Sequence, residues 1–385
     1  MLEGFKIYDA DAHVLMTPEM WETLPKQYWL RRPRPVKFGD GHELGNWGTG
    51  WLVDGRIEPH PFGPGTHAAN TPGMVLEEYG ANRARAGDFT AFSLPVGCVT
   101  MGDVADRLTA MDKLGIDVQV LFPSTIYATI SADATLEGEL FRAYNRYIGT
   151  RCRDAAKRLR WVGLLPMRDA EQARLAMKEM VDMGAAAAVV FGTVGDRMLS
   201  HPSFEPIWNE FTRTGLPLCV HMAMSFPPLA QLCESIQDAN MIGKAMPAQL
   251  AFMAMAGHGM LDKYPSLKVA FLEFGGEWIF YSVGRMKQYA EVNKGRMADP
   301  SMLPKSEVDD LVKSGRIYLG PESSDAMLAH ELKLLGDGQL LYSSDFPHGE
   351  GRDNAAMEII ERQDLTKEQK RKFLYDNAAN FYGEP

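Results

Sequence analysis

The residues that could do chemistry start nine positions into the chain. Asp9, Asp11 and His13 recur at every second position, directly after a short apolar stretch at residues 5–8. Alternate side chains on a strand share a face, so these three would point the same way. A carboxylate and an imidazole two residues apart can grip one metal ion from a single strand end. Such a pair arises often by chance. It gains force here because His221, Glu273, Asp345 and His348 each fall at, or just beyond, the end of a later apolar run.

Groups so far apart in sequence can meet only if the strands that carry them end side by side. From residue 104 the chain alternates regularly between helical and strand patterns. Apolar spacing predicts a helix over 104–114, with Gly115 as its C-cap. It then predicts strand 118–122, helix 136–158, strand 161–165, helix 170–183 ending at Gly184, strand 186–191, helix 204–214 and strand 216–220. A helix near 243–258, strand 269–272, helix 278–292, strand 317–319, helix 328–335 and strand 340–342 follow. Two helices close the chain, near 355–362 and 367–380. With the first strand, this makes eight strands, each a solid apolar run, which is the mark of a parallel sheet covered on both faces. The economical arrangement is an α/β fold, a (β/α)8 TIM barrel formed by one domain over residues 1–385. In that fold the chemistry sits at the C-terminal ends of the strands, where His13, His221, Glu273, Glu322 and Asp345 fall.

One stretch departs from the alternation. Residues 18–102 form a long insertion after the first strand, rich in Gly, Pro and Trp. Residues 39–54 read as a hairpin with Trp47 and Trp51 near its turn, and residues 60–67 as an irregular loop holding His60 and His67. An insertion of this length is expected to be a lid over the pocket and a contact between subunits. Its Trp and Phe content suggests an apolar small-molecule substrate; Arg83 and Arg85 could meet a carboxylate on it, but the reading placed first for them is a solvated loop.

Composition bounds the rest. The chain has 385 residues, 45% of them hydrophobic, and a net charge of −10. An acidic chain without a basic run is not expected to bind nucleic acid. No apolar run approaches the ~18 residues of a membrane span, and the start lacks the pattern of a secretion signal, so a cytoplasmic enzyme is expected. Cys98, Cys152, Cys219 and Cys233 show no paired spacing and read as free thiols. The 23 methionines read as core and pocket filling.

The chain resembles the amidohydrolase-related branch of the metal-dependent amidohydrolase superfamily. The resemblance rests on Asp9 to His13, Leu218-Cys219-Val220-His221, residues 264–278 (YPSLKVAFLEFGGEW), Ser344-Asp345-Phe346-Pro347-His348 and residues 376–382 (DNAANFY), which occur in the family's order. It implies a divalent metal held by Asp11, His13, His221 and Asp345. Two features depart from the pattern. The fourth strand lacks the Lys that many two-metal hydrolases carry, and Glu273 stands where decarboxylating relatives carry a His.

With Glu273 and His348 added, the candidate ligands are Asp11, His13, His221, Glu273, Asp345 and His348. Three carboxylates around one divalent ion leave excess negative charge in a buried site, which is costly. Two ions balance it better. The expectation placed first is therefore a dinuclear non-haem iron, or iron/manganese, oxygenase hydroxylating a small organic molecule. Beside it stands a hydrolase or non-oxidative decarboxylase of a small carboxylate or amide, using one Zn²⁺ or Mn²⁺, with Asp345 as base and Glu273 carrying a proton. A barrel with a purely structural metal comes third. Asp345, Glu273 and His348 are the catalytic candidates in the first two.

The remaining polar residues are given plainer roles. Asp9 is expected to accept structural hydrogen bonds. Glu322 could orient a ligand His, His201 reads as a turn residue, and His258 would complement a helix end. His330 is expected on the outer ring, and Arg285 to pair with Glu277. The partners expected are a small-molecule substrate and other subunits, identical or related.

Overall fold

The computed structural model describes residues 1–39, 49–58, 96–124, 126, 129–155, 157–292, 306–348 and 354–385. Seven strands run parallel in one sheet: β1 (Tyr8–Val14), β2 (Val118–Pro123), β3 (Leu159–Leu164), β4 (Ala187–Phe191), β5 (Leu218–His221), β6 (Val269–Leu272) and β7 (Ile317–Leu319). Their spatial order is their chain order, as in a barrel built from successive βα units. Residues 339–346 lie between the two edge strands. The Leu341 N–H donates to the Leu319 carbonyl at 2.8 Å, and the Ala10 N–H donates to the Tyr342 carbonyl at 2.8 Å. The Asp345 N–H donates to the Asp11 carbonyl at 3.0 Å. This segment thus supplies the eighth position of the ring without forming a full strand. The fold expected from sequence stands.

Local sequence explains why the elements start and stop where they do. The side chains of Asp133 and Asp169 accept backbone N–H bonds at the starts of helices Ala134–Cys152 and Ala170–Met183. Gly184 closes the second of these at φ 75°, a conformation that costs a residue without Cβ little. β2, β5 and β6 are buried along their whole length, which accounts for their unbroken apolar runs. Met111, Met177, Met180 and Met255 fill the space between strands and outer helices, and the four cysteines are free and buried.

The insertion differs in detail from its expectation. Strands Arg34–Lys37, Thr49–Val53 and Arg56–Glu58 form an antiparallel sheet. A tight turn at Asp54 and Gly55, both at positive φ, joins its last two strands. The connection between Lys37 and Thr49, where the expected hairpin turn falls, runs through residues outside those described. Trp51 lies in the central strand and packs into the main core. Trp47, His60, His67, Arg83 and Arg85 lie outside the described residues. Among the described residues no helix is long and apolar enough to cross a membrane.

Candidate metal centre

β1 delivers Asp11 and His13 to the C-terminal mouth of the barrel, but not Asp9. The register between β1 and β2 shifts between Asp9 and Ala12, so the simple alternation fails there. The Asp9 carboxylate instead accepts from the Ser344 N–H and hydroxyl, at 2.9 and 2.5 Å, and from Gln119 Nε2 at 2.7 Å. Burial pushes its pKa up to about 6 against those bonds. It ties β1 to the segment carrying Asp345, the structural role expected of it.

The other six candidates meet. His13 Nε2 is 3.4 Å from Asp11 Oδ1, 3.2 Å from Glu273 Oε2 and 3.3 Å from Asp345 Oδ1. His221 Nε2 is 2.6 Å from Glu273 Oε2 and 3.4 Å from Asp11 Oδ2. His348 stacks on His13 at 3.9 Å between ring centroids and reaches Asp345 Oδ1 with Nδ1 at 2.8 Å. Two overlapping groups of four emerge: Asp11, His13, His221 and Glu273, and His13, Glu273, Asp345 and His348. Within each group the ligand atoms lie within 4.8 Å of one another.

These groups fit a cation. Asp11 Oδ1, His13 Nε2, His221 Nε2, Glu273 Oε2 and both Asp345 oxygens are buried and have no hydrogen-bond partner outside the cluster itself. Such atoms are costly to leave so, and here they face one another. The rings are also set for the task. His13 Nδ1 lies 3.2 Å from the Pro123 carbonyl and His221 Nδ1 lies 3.0 Å from the Met222 carbonyl. A carbonyl only accepts, so Nδ1 carries the hydrogen and Nε2 offers its lone pair to the cage. Electrostatics agree. Burial works against charge on His13, yet Asp345, Glu273 and Asp11 raise its pKa to about 10. Burial raises Asp11, while His221 and His13 pull Glu273 well below the usual carboxylate range against its own burial. A cage of carboxylates that draws protons onto its imidazoles is one that a divalent ion would occupy in their place.

Glu273 and Asp345 hold left-handed backbone conformations, at φ 68° and 53°. Non-glycine residues rarely adopt these, and at two strand ends facing one cage they mark a site where geometry overrides local preference.

Sequence reasoning missed four residues. Arg107 is fully buried and donates from Nε to Gln119 Oε1 at 2.7 Å and from Nη1 to the His13 and Cys98 carbonyls at 3.0 and 3.3 Å. On an amphipathic helix it reads as a solvated charge, and only its contacts reveal it. Gln119 passes the link on to Asp9. Ser124 Oγ holds His348 Nε2 at 3.1 Å. Lys244 ends the π-helical turn Ala239–Lys244 and borders the cleft that His13, His221, Glu273 and His348 also line. Phe122, Val189, Phe191 and Met224 line its apolar side.

Other expectations resolve plainly. His201 caps a short helix by accepting the Ser203 N–H, and His258 bonds Ser200 Oγ at 2.7 Å. His330 is exposed on the outer helix Leu328–Leu335. Arg285 donates to Gln288 Oε1 and to Tyr289 Oη; among the described contacts it meets these neighbours one turn on, where Glu277 was expected. The Glu322 N–H donates to Asp325, and its carboxylate stands at the mouth, exposed but hemmed in by protein. Desolvation there, with the charges of Asp345 and Asp325, lifts it to about 7.

A family model described as amidohydrolase matches residues 96–383. The chain belongs to the amidohydrolase family. It is accordingly a metal-dependent enzyme. It is 26% identical over 294 residues to the gamma-resorcylate decarboxylase of Polaromonas sp. strain JS666, covering 73% of this chain and 87% of that one. Among solved structures, an amidohydrolase from Mycobacterium avium subsp. paratuberculosis superposes with a TM-score of 0.71 at 17% identity, covering 99% and 98% of the two chains. The 5-carboxyvanillate decarboxylase of Novosphingobium aromaticivorans, solved with manganese and a nitrobenzoic acid, gives 0.64 at 19% identity over 73% and 80%. These two likenesses bear on the fold. The first-placed expectation, an iron oxygenase, draws no support from these relatives, whereas the alternative placed beside it does.

Proposed function

We propose that the chain is a metal-dependent, non-oxidative decarboxylase of a small aromatic carboxylate, working through one Mn²⁺ or Zn²⁺. The observation that carries this reading is the cleft: an apolar slot between Phe122, Phe191 and Met224 that ends on the cage, with Lys244 as the only ammonium or guanidinium among its described lining residues. Its apolar walls suit the faces of an aromatic ring, and its charged end suits a carboxylate. Kinship to a resorcylate decarboxylase supports the substrate class. The single domain over 1–385, with 18–102 as its lid, belongs to the same proposal.

In the reaction a C–C bond breaks, CO₂ leaves, and the electron pair stays on the ring carbon, which takes a proton. Asp11, His13, His221 and Asp345 would hold the divalent cation, with Glu273 against both imidazoles. Bound there, the cation would supply positive charge to anchor the substrate's oxygens. Lys244 meets the substrate's charge from the opposite wall, and the phenylalanines orient the ring and exclude water. Asp345 gives the proton to carbon. His348, between Asp345 Oδ1 and Ser124 Oγ, is placed to restore it. Glu273 stands where decarboxylating relatives carry a His, so the proton route runs through Asp345 and His348.

The test is turnover of a panel of 2-hydroxybenzoates by manganese-loaded protein without O₂, in deuterated water. CO₂ release, with deuterium at the vacated carbon, is expected. Turnover that requires O₂ and a reductant would overturn the reading. It would favour the second one, a dinuclear iron or iron/manganese oxygenase, which rests on the third carboxylate, Glu273, and on the two overlapping ligand groups that share it.

A further inference from the structure

Behind the loop that follows β6 lies a second acidic group that the proposed reaction does not use. Glu277 is on that loop, Asp325 follows β7, and Glu331 is on helix Leu328–Leu335; one oxygen from each lies within 4.8 Å of the others. Acidic clusters at a surface are common and mean little alone. This one holds a side chain that needs explaining. Glu331 is fully buried, and neither of its oxygens has a hydrogen-bond partner. A Cβ at position 276 would lie 2.3–2.5 Å from that carboxylate, so only glycine there lets it approach the loop. Asp325 is itself oriented, since it accepts the Glu322 N–H at 3.1 Å. The nearby Arg362 does not cap the group. It donates to the Ser323 and Asp325 carbonyls at 3.2 and 2.9 Å and to the Asp364 carboxylate at 2.7 Å.

We propose that Glu277, Asp325 and Glu331 form a second divalent-cation site, for a hard, oxygen-seeking ion of the Ca²⁺ class, which clasps the loop after β6 to the segment after β7. The chemistry of the donors argues for this class. All are carboxylate oxygens, with no imidazole or thiolate, and Glu277 is exposed, which leaves room for water to complete six to eight positions. Charge argues likewise, because the nearby Arg362 is already paired with Asp364, which leaves the three carboxylates' negative charge unbalanced in a partly buried site. Without a cation, burial and the charges of Asp325 and Glu277 push Glu331 up to about 8. That shows how badly the fold accommodates its ionised form alone.

The site is tested with Ca²⁺ as probe on full-length protein already loaded with manganese, by equilibrium dialysis and elemental analysis. One saturable Ca²⁺ per chain is expected below about 1 mM. The Glu277→Gln/Asp325→Asn protein should bind it at least tenfold more weakly and keep its manganese. Both changes lie outside the core, so folding is not at stake, and circular dichroism checks it. An Asp11→Ala protein should bind Ca²⁺ as the unaltered chain does. The proposal is overturned by the absence of saturable binding, by binding that survives the double change, or by binding that disappears with Asp11. None of these outcomes depends on the decarboxylase reading.

Discussion

Replacing Arg107 with Met is expected to cost about 3–5 kcal/mol of stability and to weaken metal binding without touching a ligand. The magnitude follows from what the side chain does. It is fully buried, and it satisfies three acceptors at 2.7–3.3 Å: the Gln119 amide oxygen and the carbonyls of His13 and Cys98. Each acceptor left dry costs ~1–3 kcal/mol, and a water in the vacated space would recover part of that. Removing one partner from a buried charged network typically costs ~3–5 kcal/mol. Met fills a similar volume, so cavity formation adds little. The chain Arg107–Gln119–Asp9–Ser344 joins the carbonyl of His13 to the residue before Asp345. Loosening it should therefore weaken metal affinity ~10–100-fold, the usual effect of losing a partner behind a ligand. Urea unfolding and metal titration read the two effects, with Arg174→Met, an exposed Arg of helix Ala170–Met183, as a control that should change neither. Loss of less than ~1 kcal/mol with full metal affinity would refute the idea that Arg107 holds the strand end in place.

Four further outcomes are expected. His221→Ala should abolish both metal binding and activity, and full metal occupancy in elemental analysis would remove His221 from the ligand set. Glu273→Gln should leave one ion per chain if the site is mononuclear and reduce two ions to one if it is dinuclear, so metal content before and after the change decides between the two readings. Lys244→Met should raise KM for a carboxylate substrate ~10-fold or more with a smaller effect on kcat; an unchanged KM would move the carboxylate contact elsewhere. In chelated protein, Glu331 should make stability fall as pH rises. Its folded value of about 8 exceeds the ordinary 4.5 of a glutamate, so the fold binds the extra proton. That stabilisation is complete below 4.5 and is lost as pH climbs through 8, with a slope of up to about 1.4 kcal/mol per pH unit. Glu331→Gln should flatten this part of the urea-midpoint profile, and an unaltered profile would count against a buried, unpartnered carboxylate.

The barrel was legible because it is written in repeated local signals. The helices expected over 104–114, 170–183, 278–292 and 328–335 and the strands over 269–272 and 317–319 match the structure residue for residue. Their apolar period and their glycine stops are properties of a few neighbouring residues. Elsewhere the elements are less regular. The expected helix over 243–258 is an α-helical core flanked by π-helical turns, and residues 340–342 pair on both sides without becoming a strand. The candidate site was legible for a different reason: six Asp, Glu and His residues at or just beyond strand ends are conspicuous in any barrel. What escaped was everything that depends on a distant partner. Nothing near Arg107 or Ser124 in sequence announces an interior guanidinium or a hydroxyl under His348. The different roles of Asp9 and Asp11 were expected, but the register shift in β1 that turns them apart was not legible.

The backbone of Glu273 and Asp345 shows how the fold and the site depend on each other. Each is the carboxylate that ends a strand segment, and each holds a left-handed conformation, at φ 68° and 53°. For a residue with a side chain that conformation costs on the order of 1 kcal/mol or more, and a sequence free of function would place Gly or Asn there. The ring of strands carries that cost. β6 is buried on both faces, and the segment around Asp345 is hydrogen-bonded to β1 through the Asp345 N–H and the Phe346 carbonyl. The left-handed turn swings each carboxylate off the strand axis and into the cage. Both positions therefore combine a costly backbone conformation with a carboxylate 3.2–3.3 Å from His13 Nε2, the coincidence expected where a site rather than local preference selects the conformation.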